Sequence, residues 1–308
     1  MTSSDFSTRK LTLGPVLFNW AAERKRDFYF RIADEAPVDV VYVGEAVCSK
    51  RSPFFDPYLP EICDRLERAG KEVIHSTLAL IMTEREMGQV RELAGIEQFP
   101  VEANDISAAA LIKGRPHVIG PFVNVYNEGT LDYLVSNGAF RVVLPGELPG
   151  KTIGALAASG ENVELEVQVF GRLPLALSSR CYHARFHKLH KDGCQYVCAR
   201  DDDGLGINTL TGEPFLAING TQTLSNTVCN LVQELTPLLD HGVRLFRLWP
   251  QSCDMVKVAR IFREVLDERR DSQAALKQLA ELVDLAPFSN GFHHGREGWR
   301  FIEQSATV

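Results

Sequence analysis

"VDVVYVG" (38–44), "PYLPEICDRLERAGK" (57–71) and "EVIHST" (72–77) lie close together along the chain and decide its fold. The two outer words are short apolar runs rich in β-branched residues. The middle word places Leu59, Ile62, Cys63 and Leu66 at i, i+3, i+4 and i+7, one stripe of a helix, with Gly70 where a left-handed cap would end it. A strand, a helix and a strand are therefore predicted, and strands this apolar belong in a parallel sheet covered on both faces. The same rhythm extends outward in "LTLGPVLF" (11–18), "FPVEA" (99–103), "HVIGPFVNV" (117–125), "FRVVLP" (140–145), "VELEVQVF" (163–170) and "VRLFRLW" (243–249). Eight such strands alternating with helices predict a (β/α)8, TIM-barrel-like α/β fold. At 308 residues, one barrel-like domain spanning 1–308 is the simplest organisation.

The rhythm breaks once. About seventy residues separate strands seven and eight where roughly twenty would suffice, so an insertion is expected at about 172–242. Loops at the C-terminal ends of barrel strands are where such folds keep their chemistry. Within the insertion, "VCNLVQELTPLL" (228–239) is predicted helical, with Val228, Leu231, Val232 and Leu235 on one face.

The insertion opens with "RCYHARFHKLHKDGCQYVCARDDDG" (180–204), which holds three of the seven cysteines and three of the eight histidines. It neither alternates like a strand nor repeats like an amphipathic helix, and reads as a loop built to hold something. Apolar content of 45%, charged content of 24% and a net charge of −7 describe an ordinary soluble protein and argue against a nucleic-acid binder. No apolar stretch suits a secretory signal or a membrane span, so a cytoplasmic location is expected. In a reducing compartment, clustered thiols bind metal or do redox chemistry more often than they form disulfides.

Cys181, Cys194 and Cys198 invite a fourth ligand. Zinc would accept His183, His187 or His190, whereas an iron–sulfur cube usually takes a fourth thiolate. Cys63 and Cys229 sit on or beside apolar stripes and are read as core. Cys48 and Cys253 both follow strands and are nearly tied as the fourth thiol, and spacing alone does not separate iron–sulfur from zinc. Lys50, Arg51, Arg180, Arg185, Lys188, Lys191 and Arg200 would offset the charge of a thiolate-ligated cluster. Asp201, Asp202 and Asp203 are read as a solvated turn, with a hard-cation site as the competing reading. "FSNGFHHGREGW" (288–299) reads as an exposed polar tail, with His293 and His294 as candidate pocket residues. There is no HExxH and no nucleophile with an identifiable base, which disfavours proteolysis.

Several words read together carry a resemblance. "LGPVL" (13–17), "GEAVCSKR" (44–51), "STLAL" (76–80), "LPLALSSRC" (173–181), "NGTQTLS" (219–225) and "RLWPQ" (247–251) resemble the family named for collagenase-like peptidases. The branch they resemble serves oxygen-independent hydroxylation in ubiquinone biosynthesis. The resemblance implies a [4Fe–4S] cluster held by Cys48, Cys181, Cys194 and Cys198, and demotes Cys253 to a bystander. It also implies a heterodimer with a UbiU-like paralogous subunit, prenylated aromatic ubiquinone intermediates as substrates, and prephenate as oxygen donor. Arg51 and Arg185 are candidate carboxylate partners.

Overall fold

In the computed structural model, which describes residues 9–160 and 162–303, a parallel sheet closes on itself. Its strands are β1 (Lys10–Leu13), β2 (Val40–Val43), β3 (Glu72–Ser76), β4 (Val101–Ala103), β5 (His117–Ile119), β6 (Ala139–Val143) and β7 (Glu164–Leu177). After the insertion strands β8 (Leu205–Asn208), β9 (Pro214–Asn219) and β10 (Gln222–Asn230), β11 (Leu245–Leu248) returns as the eighth barrel strand. It lies between β1 and β7, with Leu245 opposite both Lys10 and Glu166, and so closes the barrel. Helices such as Ala22–Glu35, Leu59–Arg68 and Met255–Leu266 cover the outside.

Strand alternation sorts the side chains. Leu11, Leu13, Val41 and Val43 face outward into the main core under the helices. Val40 and Tyr42 face the barrel axis with Ile74, Val118 and Val143. The axis also holds charge, which the apolar strand words did not lead one to expect. Arg247, Glu102 and Glu166 are each 0% exposed. Arg247 donates to Glu166 at 2.7 Å and pairs with Glu102 at 2.8 Å, the latter too oblique for a hydrogen bond. Its guanidinium stacks 3.9 Å from the Tyr42 ring centre, and Tyr42 donates to Glu166 at 2.6 Å. Arg141 pairs with Glu164 at 2.6 Å.

The insertion departs from its predicted form. Strand β7 runs on past the barrel through Gly171, whose φ of +107° and close approach to Trp249 require glycine. Its outer half pairs antiparallel with β10, which pairs with β9, and β9 with β8. The predicted helix 228–239 is therefore corrected. Val228–Asn230 belongs to β10, opposite Arg172, Gly171 and Phe170, and only Leu235–Asp240 is helical. The Thr-Val-Cys-Asn run satisfies its backbone groups in the ladder, which overrides the helical spacing.

The predicted polar tail is also corrected. Phe288–Ser289 forms β12, parallel to β10. Asn290 is buried, and both Asn290 and His294 reach Glu234 at 2.9 Å. His293 packs over Gly150 and is held uncharged by burial, with its pKa pushed down to about 4. Of the 117–125 run, only His117–Ile119 is strand, because Pro121 opens a short 3-10 turn. Among the described residues, no helix is long and apolar enough to cross a membrane.

Candidate metal centre

The site is assembled from two strand ends. Gly44 follows the last residue of β2, and at its φ of +110° an added Cβ would lie only 2.9 Å from the Ser76 carbonyl. Glu45 follows, and its carboxylate accepts the N–H groups of Val47 and Cys48 at 2.9 and 3.1 Å. This fixes the turn carrying Cys48, which Arg51 closes by donating its N–H to the Cys48 carbonyl. Gly44→Ala is expected to cost about 1–3 kcal/mol, since alanine at that φ is strained and its Cβ meets backbone. The checks are a lower urea midpoint and faster reaction of Cys48 with thiol reagents. An unchanged midpoint would show that the strand end relaxes without strain.

Arg51 ties this turn to the insertion. It is 4% exposed and donates to the Leu17 carbonyl at 2.7 Å and to Asn219 Oδ1 at 3.0 Å. Asn219 donates back to the same carbonyl at 2.8 Å, and Thr221 to the Val47 carbonyl at 3.2 Å. Gly220, at φ +64°, lies against the guanidinium where a side chain would collide. Burial alone would favour loss of the Arg51 charge, but Glu45 and the Cys198 and Cys48 thiols outweigh it and raise the pKa.

The cysteine stretch is not featureless. Cys181 caps the helix Tyr182–Phe186 by accepting the Ala184 N–H at 3.4 Å. Cys194 ends a 3-10 turn at Lys191–Gly193. Gln195 and Tyr196 then take left-handed conformations at φ +50° and +53°, bending the chain before the turn Val197–Arg200 that carries Cys198. Two successive non-glycine residues there cost of order 1–3 kcal/mol each, and persist only where the surroundings enforce them. Phe54 packs edge-on against Tyr196 at 5.0 Å, and Asn19 donates to Cys198 Sγ at 3.3 Å.

Cys48, Cys181, Cys194 and Cys198 line one cavity together with Lys50, Arg51, Lys191 and His183. All four are half-buried free thiols. Burial pushes the Cys48 and Cys181 thiols up, with Arg51 and the Ala184 N–H working against it. Cys253 is elsewhere, 3.7 Å from the Met255 sulfur, with burial pushing its thiol up to about 12. Cys63 and Cys229 are buried in the main core, Cys229 on a strand and not beside a helix.

The basic residues divide. Lys50 donates to the Lys191 carbonyl at 2.6 Å and pairs with Asp192, and Lys191 reaches the Ser179 carbonyl at 3.3 Å. Arg180, Arg185, Lys188 and Arg200 are exposed and do not line the cavity. Arg51 gives its two terminal guanidinium nitrogens to buried partners, while its buried Nε has none. The Asp201–Asp203 turn is no solvated loop. Asp201 meets His183, Asp202 pairs with Arg24 while its carbonyl accepts from Trp20, and Asp203 accepts the Ser252 N–H at 2.7 Å. Because their partners diverge, the three carboxylates do not converge on a hard cation. Asn19, Glu45 and Asn219 were missed in sequence. Glu45 and Asn219 stand inside "GEAVC" and "NGTQ", but no spacing marks them as supports.

Beside the cysteine turn, a cleft of about 700 Å³ opens between the helices Leu59–Arg68 and Glu84–Ala94. Gly44, Glu45, Ser76 and Thr77 form its barrel end, and its flank mixes apolar Leu59, Val90, Leu93, Ile96 and Phe99 with the carboxylates of Asp56, Asp64, Glu67 and Glu92.

Over 165 residues, 49% of this chain, the sequence is 27% identical to the tRNA hydroxylation protein P2 of Bacillus subtilis (strain 168). The aligned part is 52% of that curated relative, so the chain spans about half its length. Among solved structures, N-acetylneuraminate lyase from Fusobacterium nucleatum, complexed with pyruvate, superposes with a TM-score of 0.49 at 9% identity. That superposition covers 90% of this chain and 80% of the lyase. The tryptophan synthase complex of Pyrococcus furiosus gives a TM-score of 0.39 at 10% identity, over 89% and 96%. The barrel is defined by its own strand pairing and not by these distant likenesses. Residues 28–302 match peptidase family U32, and with nearly the whole chain covered, the protein belongs to that family.

Proposed function

We infer that the chain is a UbiV-like subunit that binds a [4Fe–4S] cluster and serves an oxygen-independent hydroxylase of ubiquinone biosynthesis. Its partner is a UbiU-like paralogous subunit in a heterodimer, and its substrates are prenylated aromatic intermediates. The observation that carries this reading is the single cavity lined by Cys48, Cys181, Cys194 and Cys198. An all-thiol donor set suits an iron–sulfur centre or zinc. The family resemblance favours the former, since these four cysteines are the positions it assigns to a [4Fe–4S] cluster.

When bound, such a cluster supplies electron transfer or activation of the oxygen donor. The chain's own residues hold and tune it. Arg51 and Lys50 bring positive charge to the thiols, Asn19 gives Cys198 an N–H, and Glu45 fixes the Cys48 turn. Hydrogen bonds and cations of this kind stabilise the more reduced, more negative state of a cluster. The flanking cleft gives an apolar ring and tail a place beside the centre. Hydroxylation as the chemistry is supported by the name of the Bacillus subtilis relative. Prephenate as donor rests on the family resemblance alone.

The test is anaerobic co-purification with the paralogue, followed by iron, acid-labile sulfide and electron paramagnetic resonance analysis of each chain. About four irons and four sulfides in this chain are expected. Cells lacking the protein should lose ubiquinone only when grown without oxygen. Zinc in place of iron and sulfide would turn the loop into a structural knuckle. Normal anaerobic ubiquinone with a cluster-free variant that still forms the complex would make the chain a non-catalytic partner.

A further inference from the structure

A second constellation lies in the cysteine stretch and contains no cysteine. His183 and His187 stand four residues apart, on one side of the helix Tyr182–Phe186 and its cap, with their rings stacked 5.9 Å apart. Asp201 follows the Val197–Arg200 turn, which packs against that helix. One ring nitrogen from each histidine and one Asp201 oxygen all lie within 4.8 Å of one another.

Hydrogen bonding within the protein does not account for this group. His183 Nε2 meets Asp201 Oδ2 at 2.8 Å, which satisfies one ring nitrogen. His183 Nδ1 and His187 Nε2 are buried and have no partner, although the His183 side chain is 0% exposed. A buried imidazole nitrogen without a partner costs about 1–3 kcal/mol. The His187 nitrogen, buried without a partner beside the His183–Asp201 pair, calls for a group that the neighbouring side chains do not provide. A cation between the rings and the carboxylate would take up the His187 lone pair and balance the Asp201 charge.

We propose that His183, His187 and Asp201 form a mononuclear site for a divalent first-row transition ion, separate from the four-cysteine cavity. Two imidazoles and one carboxylate are the donors that iron(II), manganese(II) and zinc(II) accept, and three protein ligands leave positions open for water or an oxygen ligand. His183 also lines the cysteine cavity, so the two sites share a wall. The assignment is independent of what the cysteines hold.

The experiment titrates the full chain, purified anaerobically with its paralogue and stripped of loose metal by a chelator, with Mn²⁺. Manganese avoids thiolates, so loss of its free electron paramagnetic resonance signal reports the nitrogen–oxygen site. Zn²⁺ is titrated in parallel by calorimetry. About one Mn²⁺ per chain is expected, with affinity falling at least about tenfold in His187→Ala and in Asp201→Asn. The exposed neighbour His190→Ala should bind as the parent does. Asp201→Asn preserves shape, so it separates lost ligation from lost folding, which circular dichroism checks. Failure of both ions to bind, or binding that survives both substitutions, would overturn the site. Neither result depends on cluster content, which iron and sulfide analysis reads separately.

Discussion

Arg247→Met is expected to remove a large part of the stability of the fold. Arg247 is fully buried on the barrel axis between Glu102 and Glu166, with Tyr42 against its face. Methionine fills the space but leaves two buried carboxylates without their shared cation. Breaking a buried ion pair from one side costs about 3–5 kcal/mol, against a total of roughly 5–15 kcal/mol for a typical domain. Urea unfolding should show a loss of that order, partly restored when Glu166→Gln is added. A change below about 1 kcal/mol would mean that the axis is not dry.

The same network sets an acid limit. Burial alone would raise the Glu166 pKa, but Arg247, Arg141 and the Thr12 hydroxyl outweigh it and hold it below the usual carboxylate range. Its contribution is therefore complete above the unfolded value of about 4.3 and is lost as pH falls through the lower folded value. Acid unfolding should begin below about pH 4 in the parent. In Arg247→Met that support is gone, and the onset should move to higher pH.

The second large effect concerns metal content. Alanine at Cys48, Cys181, Cys194 or Cys198 should each remove most of the iron from anaerobically purified protein. Alanine at Cys63, Cys229 or Cys253 should leave iron in place, at a stability cost of about 1–2 kcal/mol for these buried or half-buried sites. Cys194 is half-buried on a surface turn, so its variant should keep its circular dichroism and its paralogue. Equal iron loss from Cys253→Ala and none from Cys48→Ala would reassign the fourth thiol to the other strand end.

The barrel was legible because its strands and helices each bury a face, which forces apolar periodicity into words such as "VDVVYVG" and "EVIHST". The insertion strands were not, because β8 and the start of β9 bury little. β8 is "LGIN", with alternate residues exposed, and β9 opens with exposed Pro214 and Phe215. β10 owes its form to a ladder with β7 that no local pattern announces. The charged axis was hidden for another reason. Single residues such as Glu102 and Arg247 inside apolar words look like interruptions until the closed sheet brings them together. Three of the cavity cysteines stood out by spacing, whereas Cys48 was separated from Cys253 only by the resemblance. The supports Glu45, Arg51 and Asn219 act across long separations, and only the fold joins them.

One feature of the barrel mouth bears on how such a protein divides its labour. Trp249 is 1% exposed and rests 5.3 Å from the Arg247 guanidinium, and on its other side it packs with Leu17, Ala46 and Val47, the last adjoining Cys48. The indole therefore links the charged interior to the Cys48 turn through one buried ring. The barrel is then less a vessel than a pedestal. Changes to the apparatus on top leave the footing intact, and changes to the footing cost the whole statue.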